Sequence, residues 1–321
     1  MRTLWTLRKR STTNDRREAL KKISSFAGLG GSAMLFSGYA SAQSNAWKQT
    51  GNNNDILEAQ YKTKESQKAG EVRLDYMGHC AFRLTSPAGH TLLVDPWRDD
   101  PSGAWGKWYK KEFPEVVVDI TTSTHTHFDH DAIYRPNSTM VLDRIVGNYD
   151  FGDISITGIA DKHACDSPGW YNWTNAIKEF GQNPCPPDNP GHMDNVALIV
   201  ETGGVRVLFW GDNRADPPEN FWSALGRVDV LTIPVDGSEH VLSYEQVNHV
   251  IQKTNPGIVI PTHYLHEEIT YTLSTLQPAD KWVNQQKNKK FLQTAALSLH
   301  PSDLSKMERE VRYFGNEVVL S

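Results

Sequence analysis

From Glu71 onward the texture of the chain changes, and alternating or short apolar runs predict strands. VRLDYMGHCAFRLTS and then HTLLVDPW flank a turn at Pro87-Ala88-Gly89, and the pattern reads as a hairpin. VVVDITTSTHTH predicts a buried strand that runs into a histidine-rich segment, and YDFGDISITGIADKH predicts two short strands ending at His163. NVALIVE and VRVLFWGDN flank Thr202-Gly203-Gly204 as a second hairpin with a polar tail. VDVLTIPV then reads as a strand, YEQVNHVIQKT as a helix, and GIVIPTHY as a strand ending in His263. A helical region is expected near PADKWVNQQKNKKFLQT, and a closing strand pair through VRYFGNEVVL.

Strands in two batches, each followed by a helix, predict sheets packed face to face with helices outside. That is an α/β (α+β layered) domain, expected over residues 71–321. Polar His and Asp repeatedly fall just after the strands, where binding residues concentrate. Residues 164–191 are dense in Pro, Gly and aromatics and read as a long insertion loop with at most one helical turn. No repeat at a solenoid period is evident.

The N-terminus changes this picture. A basic stretch containing Arg8, Lys9 and Arg10 precedes the apolar run from Ile23 to Tyr39 and then Ala40-Ser41-Ala42. That order reads as a cleavable export signal over residues 1–42. Arg16-Arg17 followed by Leu20-Lys21 resembles a twin-arginine signal, with Glu18-Ala19 departing from its usual apolar residue. The expected destination is periplasmic or secreted, through the export machinery. Residues 43–70 are polar and read as a linker or N-terminal arm.

With 321 residues, 38% of them hydrophobic, the chain can bury a sizeable core. Without the leader it carries 25 basic and 36 acidic residues, a formal net charge of −11. An acidic chain with no Lys/Arg run is a poor ligand for a phosphate backbone, which excludes nucleic acid as an expected partner. Cys80, Cys165 and Cys185 do not form a disulfide framework. A bond between Cys165 and Cys185 would close a short loop worth roughly 3 kcal/mol, and two buried thiols are the alternative. Oligomeric state is not legible.

The chemistry concentrates in THTHFDHDA, residues 124–132. In an extended segment residues i and i+2 project to one side, so His125 and His127 can grip one ion together. Asp129 and His130 follow at once and can serve a second position. Imidazole and carboxylate suit zinc, manganese or iron. A catalytic zinc ion generally takes three protein ligands, so four donors in six residues argue for two ions.

His125-Thr126-His127-Phe128-Asp129-His130 resembles the HxHxDH signature of the metallo-β-lactamase superfamily, and the resemblance spans most of residues 72–321. Gly78-His79 with Val94-Asp95-Pro96-Trp97, VETGGVRVLFWGDN, and DVLTIPV with NPGIVIPTHY are similar to segments of one branch. That branch contains ascorbate-phosphate lactonases and N-acyl-phosphatidylethanolamine phospholipase D. The resemblance implies a four-layer αββα sandwich and two divalent ions, zinc first and manganese as the alternative. By position it makes His125, His127 and a third histidine ligands of one ion. Asp129, His130 and His263 hold the other, and Asp212 bridges the two.

Two positions compete for the third histidine. His163 ends ISITGIAD, as in the branch, yet lies 49 residues before Asp212; His192 in PGHMDN lies 20 before it. His163 is favoured, leaving His192 near the cleft as a substrate or supporting group. His240 in DGSEHVLS and His79 are further candidates to orient a ligand or donate a proton, with structural roles as the plainer alternative.

The implied activity is hydrolysis of an ester-type bond (lactone, carboxylic ester or phosphodiester) in a small-molecule or lipid-like substrate. It would use a metal-bridging hydroxide, with Asp129 and Asp212 among the catalytic groups and Asp212 able to accept its proton. No GxSxG elbow offers a competing nucleophile. A β-lactamase-like amidase and a non-catalytic metal- or ligand-binding envelope protein of the same fold are the alternatives. Aromatics at Trp97, Trp105, Trp108, Tyr109, Trp170, Tyr171 and Trp173 would either clamp substrate or anchor loops.

Overall fold

A computed structural model of the chain describes residues 68–103, 106–164, 194–236, 241–272, 276–304 and 308–320. The predicted leader, Cys165, Cys185, Trp105 and most of the predicted arm and insertion loop lie outside them.

The first sheet is built from β1 (Val72–Tyr76), β2 (Phe82–Thr85), β3 (Thr91–Val94), β4 (Val117–Ser123) and β5 (Asn137–Asp143), with β13 (Ala296–Leu299) added at the edge beside β1. The second has the order β12-β14-β11-β10-β9-β8-β7-β6. Its strands are β6 (Gly147–Phe151), β7 (Ile154–Asp161), β8 (Asn195–Thr202), β9 (Val205–Phe209), β10 (Val230–Pro234), β11 (Ile258–Thr262), β12 (Lys289–Phe291) and β14 (Glu310–Tyr313). Helices α1 (Glu219–Leu225), α2 (Tyr244–Thr254), α3 (Asp280–Gln285) and α4 (Pro301–Leu304) complete the described elements. The expected two-sheet α/β sandwich is the observed one.

Parallel neighbours need crossovers, and the chain supplies them. α1 joins β9 to its parallel neighbour β10, and α2 joins β10 to β11. Every residue of β10 and β11 is buried, as expected of parallel strands covered on both faces. α2 spans the predicted residues because Ser243 and Gln246 form a reciprocal capping box: Gln246 N donates to Ser243 Oγ at 3.2 Å and Ser243 N to Gln246 Oε1 at 2.8 Å.

One core cluster joins the facing sheets, through Leu74, Phe82 and Leu84 on one side and Leu198, Val207 and Phe209 on the other. A second gathers Leu93, Trp97, Trp108, Tyr109 and Phe113. Trp97 and Tyr109 stack at 4.3 Å and are 0% and 1% exposed, so of the two sequence readings these rings anchor the 97–116 segment. In β7, Gly158 lies against Ile145, and a Cβ there would collide with the Ile145 carbonyl oxygen. Gly158→Ala is therefore expected to cost about 1–3 kcal/mol by overpacking. The check is a urea melt, where an unchanged midpoint would refute the argument.

Two expectations fail. The helix predicted across 278–294 ends at Gln285, and Lys289–Phe291 form β12 instead, where parallel pairing with β14 overrides local helix propensity. β14 is not half of a terminal pair: its partners are β11 and β12. The final residues run beside β1, where Val319 N donates to the Tyr76 carbonyl.

Candidate metal centre

The site residues sit at the C-terminal ends of strands, where the chain leaves a sheet. His125, His127, Asp129 and His130 follow β4, His163 follows β7, Asp212 follows β9 and His263 follows β11, while His79 lies in the β1–β2 turn. Folding brings them into two adjoining groups, His125/His127/His163/Asp212 and His79/Asp129/His130/His263, with the potential ligand atoms of each within 4.8 Å of one another. Of the two candidates for the third histidine, His163 joins His125 and His127, its ring centroid 5.0 and 4.6 Å from theirs. His192 and His240 lie outside the described residues.

Asp212 ties the groups together. Its Oδ2 is 3.3 Å from His163 Nε2, 3.3 Å from His263 Nε2 and 3.8 Å from His125 Nε2; its Oδ1 is 3.4 Å from His130 Nε2. Asp129 Oδ2 is 3.3 Å from His263 Nε2 and 3.8 Å from His130 Nε2. Donors roughly 2.0–2.2 Å from a shared tetrahedral centre stand roughly 3.3–3.6 Å apart, which the four spacings of 3.3–3.4 Å match and the two of 3.8 Å slightly exceed. His125 Nε2, His130 Nε2, His163 Nε2 and Asp212 Oδ1 are buried and make no hydrogen bond. Buried polar atoms are normally satisfied, so four orphans aimed at one another fit a donor set awaiting cations. His127 is exposed while His125, Asp129, His130, His163, Asp212 and His263 are buried, so the centre opens on the side of His127.

The electrostatics agree. Burial alone would raise the carboxyl groups, yet the surrounding imidazoles hold Asp129 and Asp212 well below the usual carboxylate range. Burial pushes His125 down, with the neighbouring His130 adding to the effect. For His130 burial also acts downward, but Asp212, Asp129 and Asp95 outweigh it and push the group up to about 9. The site is thus an anionic pocket in which imidazolium supplies charge that a cation would otherwise provide.

Local structure explains how each group is aimed. Gly211 turns the chain at φ 57, and a Cβ there would stand 2.7 Å from Thr124 Oγ1 and 2.9 Å from Asn195 Oδ1. Only glycine admits that approach, and it delivers Asp212 to the centre. His163 pairs with Asn213 across an isolated bridge, and Ala164 N donates to the Asp212 carbonyl at 2.7 Å. Among the described residues five non-glycines have positive φ, and three of them, His79, Asp95 and His263, belong to this centre. Such conformations cost about 1–3 kcal/mol each and persist where surrounding structure enforces them.

Asp95 is the functional residue that sequence reasoning missed. Its Oδ2 accepts from His130 Nδ1 at 2.9 Å, and it also accepts from Thr124 N at 2.7 Å and Thr124 Oγ1 at 2.9 Å. A carboxylate on the far nitrogen fixes the His130 tautomer with Nε2 turned inward. The available signal was an acidic residue directly after the apolar strand TLLV. Cys80 also comes within 4.8 Å of ligand atoms of His130 and Asp212.

Comparison with known proteins agrees with this geometry. Residues 73–263 match the model of a family described as the beta-lactamase superfamily domain. A UPF0173 metal-dependent hydrolase of Thermodesulfovibrio yellowstonii is 23% identical over 258 residues, covering 74% of this chain and 93% of that protein. Another from Roseiflexus sp. is 32% identical over 216 residues, covering 60% and 83%. Among solved structures, a Thermotoga maritima protein assigned as a candidate zinc-dependent hydrolase of the metallo-beta-lactamase superfamily aligns with a TM-score of 0.53. It is 22% identical and covers 77% of this chain and all of that one, a likeness that bears on the fold.

Proposed function

This chain belongs to the metallo-β-lactamase superfamily, and on that premise we propose that it is an exported, dinuclear metal-dependent hydrolase cleaving an ester-type bond. The observation that carries the reading is the position of Asp212, whose two oxygens face histidines of both groups. Such a carboxylate suits a pair of cations better than one. His125, His127 and His163 would hold one ion, Asp129, His130 and His263 the other, with Asp212 shared. Divalent ions there supply Lewis acidity toward a carbonyl or phosphoryl oxygen and lower the pKa of water from 15.7 to about 7. Zinc is the first expectation, with manganese as the alternative for these N and O donors.

The chain's own groups do the rest. Asp95 orients His130, and the Asn213–Asp161 contact of 2.9 Å steadies the turn that presents Asp212. The surrounding imidazoles hold Asp212 well below the usual carboxylate range, so it would meet cations as a carboxylate. Phe128, between His127 and Asp129, packs edge-on against Trp108 at 5.0 Å and puts an apolar surface beside the opening. That surface and the lactonase-like motif order support a small-molecule or lipid-like ester. Export rests on the basic-then-apolar leader ending near Ala42, which would deliver the protein to the periplasm or beyond.

The test is turnover of lactones, carboxylic esters, phosphodiesters and β-lactams by zinc-loaded protein. Hydrolysis of at least one ester-type class, faster than any β-lactam, is expected. Preferred β-lactam cleavage would make it an amidase, and no turnover with both ions bound would make it a binding protein.

A further inference from the structure

His79 stands beside the seven residues assigned above and is needed by neither ion, yet it is among the most constrained side chains in the molecule. It is 0% exposed and sits at φ 56 in the β1–β2 turn. Its carbonyl accepts from Tyr76 Oη at 3.2 Å and from His263 N at 3.2 Å. The turn is closed by Ala81 N donating to the Gly78 carbonyl at 2.9 Å and pinned by Trp97 Nε1 on the Met77 carbonyl at 2.9 Å. Its ring meets the edge of Tyr109 and lies 4.3 Å from the ring of His263. A strained backbone held this firmly implies that the direction of the side chain matters.

That direction is toward Asp129. His79 Nε2 is 3.0 Å from Asp129 Oδ2, the same oxygen that faces His130 and His263. An ionised carboxylate only accepts, so His79 Nε2 carries the proton of this bond. Nδ1 is buried without a hydrogen-bond partner, so this ring orientation is kept at a cost that simple space filling would not require.

We propose that His79 is a positioning residue for the second cation: its Nε2–H occupies one lone pair of Asp129 Oδ2 and leaves the other directed at the ion held with His130 and His263. This rests on the dinuclear reading above. The bond fixes the Asp129 rotamer and makes its coordination one-sided before metal arrives, so His79 acts on occupancy of one site and not the other. Groups that orient metal ligands typically set affinity by 10–100-fold.

Zinc titration of chelator-stripped protein, with competition against a chromophoric chelator and metal analysis of the product, tests this. Wild type should take up two zinc ions. His79→Ala should retain one at wild-type affinity and bind the other about 10–100-fold more weakly. His79→Gln, whose amide nitrogen reaches about as far as Nε2, should recover most of that loss; the shorter His79→Asn should not. If the alanine variant does not fold, the Gln–Asn pair decides. Two tight ions in His79→Ala, or a glutamine variant as weak as the asparagine one, would overturn the proposal, the latter marking His79 as a ligand or a filler. A wild-type chain that takes up only one ion overturns the dinuclear reading and the proposal with it.

Discussion

Asp212→Asn is expected to lower kcat/KM on the best substrate roughly a thousandfold, because the change removes about 4 kcal/mol of cation-dependent charge stabilisation. Asparagine keeps the volume of the side chain, so no cavity opens behind the buried β9 terminus. The shared negative charge is what is lost. Asp212 faces His125, His130, His163 and His263 within 3.3–3.8 Å, and no other carboxylate among the described residues touches both groups. Metal analysis should find about one ion per chain against the two expected of wild type. Full turnover with two ions would refute the bridging role. Loss of turnover with both ions retained would move Asp212 from holding ions to handling the proton.

Chelation is expected to have the second large effect. Stripped protein should lose all hydrolysis and regain it on addition of zinc or manganese, and it should also melt earlier. An ion present at a thousand times its Kd contributes about 4.1 kcal/mol. For a domain of this size that corresponds to roughly 8–16 °C in Tm. Proton competition gives the sign with pH. His130 is pushed up to about 9 and His263 is raised, in both cases because carboxylates outweigh burial, so both carry protons near neutral pH in the metal-free chain. A cation must displace them, so retention should weaken as pH falls. Calorimetry of stripped and reloaded protein at two pH values is the check; equal melting of the two forms would mean the donors hold no ion.

The parts of the fold legible in the sequence are those governed by local pattern. Short alternating or apolar runs located β1 to β4 and β6 to β11, and the spacing of YEQVNHVIQKT located α2. β5 escaped because all of its residues are exposed or half-buried, leaving no buried face to read. β12 and β13 escaped because they are short edge strands held by nonlocal pairing, β12 with β14 and β13 with the distant β1. Asp95 escaped for a related reason: an acidic residue after a strand is ordinary until folding sets it 2.9 Å from His130.

What the sequence determined by itself was the identity of the donors. The HxHxDH run supplies imidazoles and a carboxylate within six residues, and Gly211 after an apolar strand marks Asp212 as a carboxylate at a strand end, wherever the rest of the chain goes. The extended geometry expected for His125 and His127 is instead a bend after β4, which still sets their rings 4.7 Å apart. What only the tertiary structure decided was which donors meet. His163 joins His125 and His127 because β7 and β9, both paired with β8, bring the residues after them together, and Asp212 faces both groups because β9 ends between them. Those distances depend on sheet order and register, set by nonlocal hydrogen bonds and by burial between the sheets that no short window of sequence encodes.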